Sequence, residues 1–246
     1  MRQLGYRVVD LLVDHLTTLA AEPTTRGATR AEMERLFRES VPEEPADPAE
    51  VLERVRRDVF GNVMYLNHPR FFGWVPGPTN FVSIMAEAIA STYNPFMGSW
   101  LVSAGPAEVE LVTIDWLREM LGMPADAGGL FTSGGSAANL TALATARHTA
   151  LADDASTAVV YSSKETHSSV ERALRVLGFA REQLRQLPTD DGFRLVAADL
   201  EQAIRRDRAA GRRPFCVVAN AGTTNTGAVD PLPELAELWR TQGLWY

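Results

Sequence analysis

Three short stretches hold the residues of this chain whose types and spacing could do chemistry. In residues 132–140, TSGGSAANL, two glycines and flanking hydroxyls stand directly before an alanine-rich helical run. The first backbone N–H groups of a helix have no intrahelical partner, and the helix dipole adds positive potential there. Gly134 and Gly135 let a ligand come close to the backbone. Ser136 offers a hydroxyl and an N-cap, so the turn suits an anion such as phosphate. It lacks the Gly-Lys-Ser/Thr ending of a P-loop and the GxGxxG spacing of a dinucleotide turn. Taken alone, a serine-capped glycine turn accounts for it equally well.

The second stretch is KETHSSVERAL, residues 164–174, in which His167 stands at a strand-to-helix junction. In open α/β sheets, ligands bind outside the carboxyl ends of the strands, where such a junction lies. A helix-capping or surface histidine is the alternative. The third is ANAGTTNTGAVDPL, residues 219–232, which follows an apolar strand and brings Gly222, Thr223, Thr224 and Asn225 to the same edge. Three polar loops of small residues at one edge are harder to dismiss than any one of them.

The elements that must position these loops follow from periodicity. Leu4, Val8, Leu11, Leu12 and Leu16 recur at helical spacing, and residues 30–39 read as a second helix. A proline- and acid-rich connector, residues 41–50, leads to a helix opened by Asp47-Pro48 and running to residue 60. Pro69, Pro76, Gly77 and Pro78 impose an irregular loop that carries Phe71, Phe72 and Trp74. Residues 81–94 and 107–123 read as helices, the second ended by Gly122 and Pro124. From there strands and helices alternate: a helix to residue 151, strands in 157–163, 181–188 and 214–222, and helices in 169–179, 197–211 and 232–243. This alternation predicts an α/β fold with a mainly parallel sheet flanked by helices. The expected division is a helical N-terminal arm, 1–80, with little core of its own, and a partial larger domain, 81–246. The closing LWY reads as the opening of another strand, and a chain cut short of a complete sheet is the expectation.

Composition narrows the function classes. The 246 residues are 46% hydrophobic with a net charge of −7, which argues against a nucleic-acid partner. No apolar run reaches the roughly 18 residues of a membrane span. The N-terminus alternates charged and apolar residues, unlike a secretory signal, so a soluble cytoplasmic protein is expected. The lone Cys216 sits in an apolar run and reads as core filling. Of 24 basic residues, Lys164 alone is lysine.

In their order and spacing, TSGGSAANL, HSSVERAL and NAGTTNTGAVDPL resemble the group II pyridoxal-phosphate decarboxylases, most closely the aromatic-L-amino-acid decarboxylase branch. HPRFFGWVPGPTN and AEVELVTIDWLREMLGMP are similar to that branch too. The resemblance implies a fold-type I enzyme with pyridoxal 5'-phosphate as cofactor, an amino-acid substrate and a homodimer in which the arm wraps the partner subunit. It implies that Gly135 and Ser136 hold the cofactor phosphate and that His167 stacks on the pyridine ring. Thr224 would sit near the ring with Asp230 supporting its loop, and Pro76, Thr79 and Phe96 would approach the substrate. No metal is implied.

It also places the ring-protonating aspartate and the Schiff-base lysine beyond Tyr246. Lys164, three residues before His167, is on the wrong loop to replace that lysine and reads as a solvated side chain. The chain as given would therefore not decarboxylate alone. Two alternatives stand beside this: another fold-type I reaction, such as that of a lyase or aminotransferase, and a non-catalytic dimerisation partner of a full-length homologue.

Overall fold

The computed structural model describes residues 1–77, 79–151 and 154–246. Pro78, expected to help shape the loop of residues 68–80, lies outside them. The chain divides into two compact units, Met1–Glu87 and Ala88–Tyr246.

The first unit is helical. Helix α1 (Arg2–Thr18) follows the leucine periodicity. Helix α2 (Arg30–Phe37) opens on a capping box: Thr29 Oγ1 accepts from the Glu32 N–H, and Glu32 Oε2 accepts from the Thr29 N–H at 2.7 Å. Two orphan donors of the helix start are satisfied reciprocally in this way. Helix α3 (Pro48–Arg54) opens as expected, with Asp47 Oδ1 accepting from the Ala49 N–H. It does not run on as α-helix to residue 60. Val55–Val59 widens to a π-turn and Phe60–Asn62 tightens to 3₁₀. His68 is buried and pins the following loop, with Nε2 against Glu22 O at 3.0 Å and Nδ1 accepting from the Arg70 N–H. Helix α4 (Phe81–Tyr93) carries the division between the units.

Helix α5 (Trp100–Met120) starts seven residues earlier than periodicity suggests. Its first turn is set off by a kink at Ser103 (φ −144°, ψ 45°), three residues before Pro106. Proline removes a helix donor and crowds the preceding turn, which breaks the apolar pattern that a sequence reader follows. Among the described residues, Leu19 is the only fully buried apolar side chain before Leu143.

The core belongs to the segment that begins with α6 (Gly135–Leu151). There β1 (Ala158–Ser163), α7 (Ser169–Val176), β2 (Leu184–Leu187), α8 (Ala197–Ala209), β3 (Arg213–Val218) and α9 (Leu232–Gln242) alternate. The strands pair in parallel in the order β2-β1-β3. The central strand β1 is buried along its whole length, as a parallel strand covered on both faces must be. Ala158 and Val160 face a cluster with Leu143 and Ala146 of α6 and Val170 and Leu174 of α7. Val159 and Tyr161 face the other cluster, with Leu200 and Ile204 of α8 and Leu235 of α9. Period-2 alternation along one strand thus feeds two helix layers. The register shifts between Val159 and Val160, where Pro214 and then Cys216 stand opposite. Pro214 brings no N–H to the ladder, and a bulge is where a sheet tolerates it. The extra residue puts Phe215 and Cys216 in the same cluster. Burial pushes the Cys216 thiol up to about 12, consistent with core filling.

A buried carboxylate ties the sheet to the α8 face. Asp207 of α8 accepts from Tyr161 Oη at 2.9 Å and from Arg185 Nη2 of β2 at 2.6 Å, tying three elements together. Burial alone would raise its carboxyl. The hydrogen bonds from Arg185 and Tyr161 outweigh that and hold it below the usual carboxylate range. Burial, with Asp207 beside it, pushes the Tyr161 hydroxyl far up.

Gly243 ends α9 in the left-handed region (φ 67°), a position that suits glycine. The chain then turns back to the sheet. The Trp245 N–H donates to Phe215 O at 2.7 Å, and the Val217 N–H donates to Trp245 O at 2.9 Å, a parallel bridge on the far side of β3. The LWY segment thus makes one parallel bridge to β3.

Candidate functional site

Three connections converge at the carboxyl end of the sheet. The first precedes α6. The Ala138 N–H donates to Gly134 O, so Gly134 is the N-cap and Ser136 lies one residue inside the helix. Ser136 is thus a first-turn hydroxyl rather than the cap expected from the sequence. Thr132 Oγ1 donates to Gly134 O, and Glu110 of α5 accepts from the Phe131 N–H, which anchors the approach to the turn. Ser133, Gly134, Gly135 and Ser136 are all exposed. A Cβ built on Gly134 or Gly135 would meet nothing within 4 Å. Open space, unpaired helix-start N–H groups and two hydroxyls form a donor set that fits phosphate. At its other end α6 meets the start of β3, where Arg213 Nη2 donates to Ala150 O. The glycine turn therefore lies at the strands' carboxyl ends.

The second connection joins β1 to α7 and holds His167, whose residue is exposed. Its Nδ1 lies 2.8 Å from Ser169 Oγ and 3.3 Å from the Ser169 N–H nitrogen. Ser169 Oγ in turn lies 2.8 Å from Nδ2 of Asn139, at the start of the second turn of α6. The histidine loop and the glycine turn are joined by these contacts. Lys164, at the start of the same loop, is exposed, with its backbone N–H bonded to Leu187 O.

The third connection follows β3. Residues 221–229 form a tight turn: the Thr223 N–H donates to Ala228 O, the Gly227 N–H donates to Thr223 O, and the Thr223 and Thr226 hydroxyls meet at 2.5 Å. Gly222 sits at φ 110°, which side-chain-bearing residues rarely adopt. Thr224 is half-buried in this turn. Asp230 closes its base. It is buried, and its carboxylate accepts from the Asn220 N–H at 2.7 Å, from Asn220 Nδ2 at 3.0 Å and from the Leu195 N–H at 2.7 Å. Asn220 Nδ2 also lies 3.0 Å from Thr166 Oγ1 and 3.3 Å from Ser163 Oγ. One amide and one carboxylate thus bind together the connections that leave β1, β2 and β3. Asp230 acts through the loop, since its oxygens are taken by protein donors.

The remaining expected residues are placed as follows. Pro76 (half-buried) and Thr79 (exposed) lie in the first unit. Phe96 lies in the second, 66% exposed, with its ring against Gly98, where a Cβ would come within 2.5 Å. Asn139, Ser169 and Asn220 were not singled out from sequence. The available signals were spacing: Asn139 is three residues after Ser136 on one helix face, and Ser169 is two after His167.

Comparison with known proteins bears on these loops. The chain matches the Pyridoxal-dependent decarboxylase conserved domain over residues 31–246. It is 47% identical to an aromatic-L-amino-acid decarboxylase of Bacillus atrophaeus, over 100% of this chain and 51% of the relative. The crystal structure of Oryza sativa TDC with PLP and tryptamine superposes with a TM-score of 0.89 at 28% identity, covering 99% of this chain and 53% of that one. The crystal structure of Rhodiola rosea 4-hydroxyphenylacetaldehyde synthase does so with a TM-score of 0.89 at 26% identity, covering 98% and 54%. The chain spans about half the length of the curated relatives it matches. With these neighbours the sheet and its helices are an incomplete fold-type I arrangement. Among the described residues, no helix is long and apolar enough to cross a membrane, and no group of three or more His, Cys, Asp or Glu is placed to hold a metal.

Proposed function

The chain belongs to the pyridoxal-dependent decarboxylase family, and we propose from that premise that it supplies the phosphate and ring contacts of an aromatic-L-amino-acid decarboxylase. The reaction is release of carbon dioxide from the amino acid to leave the amine. The observation that carries this is the hydrogen-bonded joining of the glycine turn, the histidine loop and the threonine turn at one end of the sheet.

Bound pyridoxal phosphate supplies an electron sink for the pair left when the carboxyl departs. The chain's own residues do the rest of what is proposed. The N–H groups of Gly135 and Ser136 and the Ser136 hydroxyl bind the phosphate dianion at the positive end of α6. His167 would stack its imidazole on the pyridine ring and exclude water there. Thr224 would contact the ring from the turn after β3, and Asp230 holds that turn in register through Asn220. Phe96 would contribute apolar surface on the substrate side. The reading gives Lys164 no part in carrying the cofactor. A homodimer belongs to the same proposal, supported by the apolar side chains that α4 and α5 leave exposed, Ile89, Tyr93, Val109 and Trp116 among them; a cytoplasmic location is proposed alongside it.

Equilibrium dialysis of the 246-residue chain against pyridoxal phosphate tests the site. Ser136→Glu, which sets a negative charge where the phosphate binds, should weaken binding at least about tenfold, as expected when a charge-assisted contact is replaced by repulsion. Equal binding by both proteins would sink the assignment. Product analysis on the complete protein, amine against aldehyde or keto acid, tests the reaction.

A further inference from the structure

Resting on the reading of His167 as the ring-facing group, we infer that Asn139 and Ser169 form a relay that fixes which nitrogen of His167 carries its proton. The direction of each bond follows from what its donor can do. A backbone N–H can only donate, so the Ser169 N–H makes Nδ1 of His167 an acceptor. Ser169 Oγ, 2.8 Å from the same Nδ1, must then give its own proton to that nitrogen. The Asn139 amide nitrogen, 2.8 Å from Ser169 Oγ, is also a donor, and it fills the hydroxyl's acceptor side. All three bonds run one way, from Asn139 through Ser169 to His167. A neutral imidazole with an accepting Nδ1 carries its proton on Nε2.

Two further observations support the relay. Ser169 is 2% exposed, so water does not compete for its hydroxyl. Asn139 opens the second turn of α6, one helical turn from Ser136. The helix that begins at the glycine turn therefore also sets the tautomer and tilt of the histidine. Asn139 and Ser169 are positioning residues, acting on the ligand through His167.

The test uses the 246-residue chain labelled with 15N-histidine. With four histidines in the chain, the His167 ring is assigned by the signal lost in His167→Asn. Expected in the wild type is protonated Nε2 and unprotonated Nδ1. Asn139→Asp turns the relay round, because a carboxylate accepts the Ser169 proton; the Nε2–H preference should fall. Ser169→Ala should lower it likewise, and Ser169→Thr, which keeps the hydroxyl, should restore it. Melting curves confirm that each variant is folded, and the Ala/Thr pair decides if Asn139→Asp is not.

Pyridoxal phosphate affinity of the same variants should fall roughly fivefold with the loss of one hydrogen bond's orientation, and return with Ser169→Thr. A wild-type Nδ1–H, or a tautomer unmoved in both Asn139→Asp and Ser169→Ala, would overturn the relay. A changed tautomer with unchanged affinity would overturn its bearing on the ligand. If the wild-type chain bound no pyridoxal phosphate, the cofactor reading would fail instead, and the nitrogen spectrum would still decide the relay.

Discussion

The helical segments before residue 135 and the sheet-bearing segment after it solve different problems with similar amounts of apolar sequence. After Leu143, strands and helices bury their apolar side chains in two layers about β1. Before it, α4 and α5 are at least as apolar as any helix of the later segment, yet Leu19 alone among the described apolar side chains is fully buried there. The difference teaches that hydrophobic periodicity forecasts a helix in both places but a core in only one. A lone helix has a single apolar stripe, and something must cover it. A parallel sheet brings its own covering helices on both faces.

The contrast should be largest in the core. Leu200→Ala empties a site that is 0% exposed and should cost about 2–5 kcal/mol, whereas Val13→Ala, at 39% exposed, should cost under about 1 kcal/mol. Urea unfolding of the two variants checks this, and equal losses would break the comparison.

Next comes the charged knot on the α8 face. Asp207→Asn should cost about 2–4 kcal/mol at neutral pH, because Arg185 loses its counter-charge and Tyr161 its best acceptor. The Asp207 carboxyl is held below the usual carboxylate range, so its contribution is complete above about pH 4 and is lost as pH falls through the depressed value. The stability gap between wild type and Asp207→Asn should therefore narrow in acid. A gap that widened there would reverse the assignment.

Asp230→Ala frees two backbone N–H groups and the Asn220 amide. It should cost about 1–3 kcal/mol and raise amide exchange across residues 220–229. Smallest is Thr29→Ala, which removes half of a capping box and should cost about 1 kcal/mol, read as faster amide exchange in residues 30–37 with the sheet unaffected.

Much of this was legible in residues 135–246. Leucine, valine and alanine periods marked α6 to α9, and runs such as AVVYSS and PFCVV marked the central strands. What escaped has local causes. The π-turn at Val55–Val59 leaves the helical apolar pattern almost unchanged, so sequence alone carries it on to Phe60. The kink at Ser103 hides the start of α5 behind Pro106. At the site, the glycines and His167 declare themselves by type, and the bonds that orient them do not. Asn139, Ser169 and Asn220 are ordinary polar residues until the fold brings α6, α7 and the turn after β3 to one place. The cap at the glycine turn falls two residues earlier for the same reason: either Gly134 or Ser136 could open the helix, and only the Ala138 N–H bond decides.

The strand order β2-β1-β3 has a consequence for how the chain is made. The middle strand leaves the ribosome before both of its neighbours, and the most deeply buried segment of the sheet must wait with two open edges. Partner β2 arrives first, and Val218 must emerge before β1 is enclosed on both sides. During that interval residues 158–163 are the stretch most exposed to mispairing with another nascent chain, so slower translation of residues 164–218 should lower the yield of folded protein.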